Sequence, residues 1–234
     1  MKIISTYALL ATVSFSPLTH ATLIDFTGGT VTQFSGATST TNTTTNYDDV
    51  DFYEEDGVRF DFIGPSGNPF SYNVGDYYGA GNDVIHGHWT NGIFGDMESI
   101  LVNKIDNTAF DLNYFKITSN TDCGGCAASG LEEVYINALA DGVNISFSML
   151  LPSDDWGFAG PNSGIFLGSE FDNILAFSFT YGSAAVGFGL DEFFIDEQGP
   201  SPVPVPAAIW LFGSGLITLF GMRRKALKNS PTLS

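Results

Sequence analysis

Three groups of side chains in this 234-residue chain are of the types and spacing that do chemistry. His86 and His88 stand two apart, so on a strand both imidazoles project from one face. With Asp83 or Asp96 as a third ligand they would suit a transition metal; without one they are ordinary strand histidines. Trp89 adjoins the pair in a polar, Gly-rich stretch, and Trp156 lies in Asp154-Asp155-Trp156-Gly157. Indoles beside carboxylates and amides are what sugar rings bind, apolar face on the ring and hydroxyls on the acids. Core packing of both indoles is the competing expectation. Cys123 and Cys126, in Cys-Gly-Gly-Cys, are the only cysteines. Outside the cell they would form a disulfide pinning a local turn, worth about 2 kcal/mol on the chain-entropy model. A redox pair would need a strand-to-helix junction, and no helical pattern follows here.

Catalytic motifs are missing from the sequence. There is no Gly-x-Ser-x-Gly elbow, His-Glu-x-x-His helix or Walker loop. The Thr-rich tract from Thr38 to Asn46 has hydroxyls but no neighbouring His to activate them. A glycosidase needs only two carboxylates at a set separation, which so acidic a chain can supply. The spacing Glu-x-Asp-x-x-Glu is not met, since Glu192-Phe193-Phe194-Ile195-Asp196-Glu197 places its Asp two positions late. The expectation is a non-catalytic protein; the alternative is a secreted polysaccharide hydrolase or lyase.

The elements that would hold these groups read as β throughout. Strands are expected at Leu23–Phe26, Val31–Phe34, Val58–Ile63, Phe110–Thr118, Glu133–Leu139, Val143–Leu150, Asn173–Tyr181, Ala185–Leu190 and Glu192–Asp196. Val143, Ile145, Phe147 and Met149 alternate with polar residues, and so do Leu175, Phe177 and Phe179, giving each strand one dry face. Asp141-Gly142 is a hairpin signal. The Thr tract should be an exposed loop. Asp48 to Asp56 carries six carboxylates and reads as a charged edge strand, without the spacing of an EF-hand. The whole predicts an antiparallel β-sandwich, a jelly roll, over residues 22–200. Jelly-roll modules that bind carbohydrate often hold a calcium ion where first and last strands meet. Asp25 and Asp191 are the candidates on that analogy alone.

Gly79-Ala80-Gly81-Asn82-Asp83-Val84-Ile85-His86-Gly87 resembles one copy of the nonapeptide of calcium-binding β-rolls. Such rolls share each ion between stacked copies, and His88 to Gly92 do not continue the pattern, so a Gly-rich turn is expected.

Both ends of the chain read as export signals. Lys2, the apolar run Ile3 to Val13, and Thr19-His20-Ala21 make a signal peptide over residues 1–21, cut after Ala21. All 26 acidic residues lie between Asp25 and Glu197, where Arg59, Lys104 and Lys116 are the sole Lys or Arg, so the exported body carries −23 (three minus 26). That field excludes nucleic acid and anionic headgroups as partners and attracts divalent cations.

Residues 201–228 hold a Pro-rich spacer, the apolar run Ala207 to Met222, and then Arg223, Arg224, Lys225 and Lys228; residues 229–234 are a tail. Sixteen residues rise roughly 24 Å as a helix, short of the roughly 30 Å hydrocarbon layer, so the span needs a thinned bilayer or snorkelling cations. The basic stop places the C-terminus in the cytoplasm. Val203 to Leu216, with Pro204, Pro206, Ala207 and Trp210, followed by Arg223-Arg224-Lys225, closely resembles the PEP-CTERM sorting signal of Gram-negative bacteria. Val205 stands where that motif often has Glu, as in its Val-Pro-Leu-Pro-Ala variants. The resemblance implies secretion, retention in the inner membrane by the C-terminal helix, and cutting near the Pro motif by an exosortase. Release to the cell surface or an exopolysaccharide matrix would follow. Charge and hydropathy alone also describe a permanent anchor. On these grounds the body is expected to be a surface or matrix protein that binds polysaccharide and calcium.

Overall fold

The computed structural model describes residues 21–64, 73–77, 83–88, 97–120, 133–140, 142–152, 163–181 and 187–200. Residues 1–20 of the expected signal peptide, the expected sorting signal over residues 201–228, Trp89, Asp96, Cys123, Cys126 and Trp156 lie outside them. Among the described residues no helix is long and apolar enough to cross a membrane. The described residues up to Gly199 form one compact unit.

Among the described residues, fifteen strands build two antiparallel sheets. In chain order they are β1 Thr22–Ile24, β2 Thr30–Gln33, β3 Thr38–Thr40, β4 Asn46–Tyr47, β5 Val50–Glu55, β6 Val58–Ile63, β7 Asn73–Asp76 and β8 Asp83–His88. There follow β9 Ser99–Lys104, β10 Leu112–Asn120, β11 Glu133–Ala140, β12 Val143–Leu150, β13 Gly164–Phe166, β14 Ile174–Tyr181 and β15 Gly187–Ile195. One sheet runs β13-β10-β15-β8-β7-β4, with β1 also beside β15; the other runs β12-β11-β14-β9-β6-β5-β2-β3. The expected all-β sandwich is what the chain forms.

Alternation explains the layering. On β6, Val58, Phe60 and Phe62 are buried while Arg59 and Asp61 stay half exposed, and β11 repeats this with Val134, Ile136 and Ala138. Phe193 of β15 is the hub between the sheets. Its ring stacks on Phe115 at 5.5 Å and on Phe177 at 5.9 Å, and meets Phe60 edge-on at 5.2 Å and Phe179 at 6.0 Å. Such aromatic pairs add about 0.5–1.5 kcal/mol each beyond their buried area.

Several expectations are corrected. The acidic segment is no edge: β5 pairs with β2 on one side and β6 on the other. A register shift opposite Thr32 and Gln33 lets both Val50 and Tyr53 turn inward, which strict alternation forbids. Arg59 lies 3.6 Å over the Phe52 ring and bonds Glu54 and Asp61, covering part of the charge. The Thr tract is not wholly a loop either. Thr38–Thr40 pairs with β2, and Thr41 is buried with its hydroxyl 3.3 Å from that of Tyr53. The dry face assigned to β12 is largely wet, Val143 being 63% and Phe147 39% exposed, because β12 ends its sheet among the described strands. A bulge opposite Leu139 and Ala140 turns Leu175 outward and buries Ile174 instead. Of the strands expected at Ala185–Leu190 and Glu192–Asp196, the described residues Gly187–Leu190 and Glu192–Ile195 belong to one strand, β15, bent at Glu192, whose φ is +48°.

Candidate functional site

One outward row crosses four strands of the seven-stranded sheet. Leu23 of β1 stands opposite Phe194 of β15, Phe194 opposite Tyr114 of β10, and Tyr114 opposite Phe166 of β13. Phe193 and Ile195 flank Phe194 and are buried in the core, so the row faces away from it. Phe166 is 58% exposed and Leu23 39%, whereas Tyr114 is nearly covered. The Tyr114 ring lies 4.9 Å from that of Phe166 and 5.3 Å, edge-on, from that of Phe194. Two glycines make room: a Cβ on Gly164 would sit 2.6 Å from the Tyr114 hydroxyl, and one on Gly199 would sit 2.9 Å from the Tyr114 Cβ. Beside the row Lys116 Nζ donates to Glu192 Oε1 at 2.6 Å, and the Glu192 N–H donates to Asp191 Oδ1 at 2.7 Å. Burial, then Glu192 and Asp191, push the Tyr114 phenol above its ordinary pKa. Flat apolar rings with acids and a cation at the margin suit a sugar ring.

A second cluster lies where β1 ends and β8 begins. Both strands pair with the same edge of β15, β1 against Phe193–Ile195 and β8 against Gly187–Leu190. The gap between them falls at Asp191 and Glu192 of β15. Asp25 leaves β1 there, and Asp83 opens β8. The Thr27 hydroxyl donates to Asp83 Oδ2 at 3.2 Å, while the Thr27 N–H donates to Asp25 Oδ1 at 3.0 Å. Glu55, at the end of β5, accepts from the Phe26 N–H at 3.0 Å and the Tyr53 hydroxyl at 2.7 Å. Burial, with Asp25 adding repulsion, raises Glu55 to about 7. Burial, then Asp76 and Asp25, raises Asp83 to about 6. The Tyr53 phenol is pushed up by burial and by Glu55.

The residues singled out from sequence are distributed as follows. The first and last strands do meet, but Asp25 acts on Glu55 and Asp83, whereas Asp191 is buried beside Glu192 and acts on Tyr114. Asp83 cannot complete a site with His86. They are three apart on a regular strand, so they face opposite ways, and the His86 ring stacks on Tyr77 at 3.5 Å. Within the nonapeptide, Asp83 to Gly87 form strand rather than turn, while Gly79 to Asn82 lie outside the described residues. Among the described residues no three His, Cys, Asp or Glu are prearranged around a metal position. Sequence reasoning missed Phe166, Tyr114, Asp76 and Glu55. The signals were faint: a three-residue strand at Gly164–Phe166, and Asp76 and Asp83 spaced as the two arms of a Gly-rich hairpin.

Comparison with known proteins matched no protein family and no curated protein.

Proposed function

We propose that this chain is an exported, surface-sorted, non-catalytic protein of the cell surface or exopolysaccharide matrix, whose jelly-roll body binds polysaccharide. The observation that carries the binding role is the outward row Leu23, Phe194, Tyr114 and Phe166, with Phe166 58% exposed and an ion pair at its margin. A large exposed ring on a surface otherwise rich in carboxylates marks a contact for something apolar on one face and hydroxylated on the other. The jelly-roll reading draws support from the pairing of β1 with β15, and the export reading from the two terminal signals and the PEP-CTERM-like tail.

Affinity electrophoresis of the full chain through gels cast with neutral and acidic polysaccharides tests the binding role. Retardation by at least one glycan, lost in Phe166→Ala with unchanged thermal stability, is the expected result. Equal mobility of Phe166→Ala and the unaltered chain in every gel would sink it. The sorting role is tested by fractionation: the tail-bearing form is expected in the inner membrane and a shorter form outside, with Pro204→Ala and Pro206→Ala together blocking the conversion.

The hydrolase or lyase reading has one specific observation in its favour, the raised carboxyl of Glu55 near Asp25. General acids are tuned this way. Glu55 is, however, tied to a backbone N–H and to Tyr53, which is fully buried, and such bonds serve the fold. Release of reducing ends that Glu55→Gln abolishes would favour the enzyme.

A further inference from the structure

Asp76 and Asp83 stand directly opposite each other on β7 and β8. They share the inward face with Val74 and Ile85, which belong to the core. Like charges directly opposite destabilise a strand pair, and burial makes the repulsion larger. Asp83 has no exposed surface, and its Oδ1 is buried without a partner; Asp76 Oδ1 is likewise buried and unpartnered. Asp25 adds a third carboxylate within electrostatic reach of Asp83, and the Thr27 hydroxyl is bonded to it.

No lysine or arginine of the body is free to neutralise this group. Arg59 pairs with Glu54 and Asp61, Lys104 with Asp196, and Lys116 with Glu192, and these three are all the Lys and Arg between residues 22 and 200. A buried carboxylate oxygen with neither donor nor counter-ion costs several kcal/mol on the order-of-magnitude scale for buried ions. With no Lys or Arg available, a bound cation or a proton is left to supply the compensating positive charge. Hard anionic oxygens and a hydroxyl select a hard cation over a transition metal.

We propose that Asp76 Oδ1 and Asp83 Oδ1, with Asp25 and the Thr27 hydroxyl beside them, bind a divalent cation of calcium's kind at the junction of β1, β7 and β8. Two inward carboxylates with a hydroxyl leave the remaining coordination positions to water and a third carboxylate that must swing in. Such a site binds weakly, in the range of extracellular modules, about 0.1–1 mM. The ion would join the end of β1 to the β7–β8 hairpin, coupling the first strand to the sheet it completes. The proposal does not depend on sugar binding at the aromatic row, which faces out of the same sheet.

The test is calcium titration of the full chain in mild detergent, followed by calorimetry and by thermal unfolding in calcium and in chelator. The expected result is saturable binding with a midpoint of about 0.1–1 mM, and an unfolding temperature that rises with calcium. Asp83→Asn should weaken binding at least about tenfold, matching loss of one charged ligand, yet unfold at a higher temperature than the unaltered chain in chelator because the repulsion is gone. Asp191→Asn should bind like the unaltered chain. Should Asp83→Asn fail to fold, Asp76→Asn, at a half-exposed position, gives the same comparison. Unfolding temperatures that depend on pH but are equal in calcium and chelator would overturn the proposal in favour of neutralisation by a proton. Binding unchanged in both Asn variants would place the ion elsewhere and overturn it equally.

Discussion

Glu55 accepts the hydroxyl proton of Tyr53 at 2.7 Å, and the same oxygen accepts the Phe26 N–H at 3.0 Å. One carboxylate at the end of β5 therefore holds the buried tyrosine and the residue just past β1. Phe26 has φ +61°, a left-handed conformation costly for a bulky side chain. The bond from Glu55 and the packing of its ring against Tyr53 and Phe60, both at 5.3 Å, keep it there.

Stability should fall as pH rises through the weakly acidic range. Glu55 is raised to about 7 and Asp83 to about 6, so the folded state keeps protons that the unfolded chain releases at ordinary carboxylate pKa. The folded state binds more protons between those limits, so its advantage shrinks with each step upward and levels off above the folded values. Thermal unfolding from about pH 4.5 to about pH 8 measures this, and Glu55→Gln, which keeps an acceptor for Tyr53, should flatten the upper part of the window. A Glu55→Gln profile parallel to that of the unaltered chain would assign the slope to other groups.

Truncating the ring at the centre of the sandwich should cost about 3–5 kcal/mol, the usual price of removing a buried aromatic side chain. Phe193 touches Phe26 and Phe60 at one end and Phe115, Phe177 and Phe179 at the other, so collapse around Phe193→Ala cannot fill the gap from one side. Phe194→Ala, one residue on but outward, should cost far less. Urea midpoints of the two variants decide it, and equal losses would contradict the assignment of faces on β15.

Gly75→Ala should loosen β4 from β7. Gly75 has φ +128°, and a Cβ there would lie 2.1 Å from the Thr45 carbonyl oxygen, which is backbone and cannot swivel away. The Asp76 N–H donates to that same oxygen at 3.2 Å. A loss of about 1–3 kcal/mol is expected from strain of this kind. Hydrogen exchange should rise at Asn46 and Tyr47 before the rest of the sheet, whereas uniform acceleration would mean that β4 is not a separate weak point.

The fold was legible where apolar residues alternate over long strands, as on β6, β11 and β14, because period two survives any sheet position. Residues of β3, β4 and β7 escaped for a physical reason, and β5 was read as a strand but placed at an edge. Thr, Asn, Asp and Glu carry little apolar signal, and such strands are specified by neighbours: Thr38–Thr40 by β2, Asn46–Tyr47 by β7, and Val50–Glu55 by β2 and β6 together. The first and last strands do meet, β1 pairing with β15, and Asp25 lies just past the end of β1. Its companions were not legible. Glu55 is 30 residues away and Asp83 58; register on β15 brings Asp83 beside Asp25, whereas Glu55 comes from β5 of the other sheet. The aromatic row was hidden likewise, for it consists of one residue from each of four strands.

Lys104 and Asp196 join the two sheets, and their pair should be worth more than a surface ion pair. Lys104 closes β9 of one sheet, and Asp196 follows β15 of the other. The Asp196 side chain is 3% exposed, and its second oxygen accepts the Asp111 N–H at 2.9 Å. Removing one partner of a buried pair strands the other, so Asp196→Ala should cost about 3–5 kcal/mol, with Lys104→Met costing less because Asp196 keeps its backbone donor. The double variant should lose less than the two single losses added, since neither side chain is then left unmatched. Urea unfolding of the four proteins gives the cycle directly. Strict additivity would show that the two groups stabilise the sheets separately, Lys104 through its ammonium 6.0 Å from the centroid of the Phe110 ring and Asp196 through Asp111.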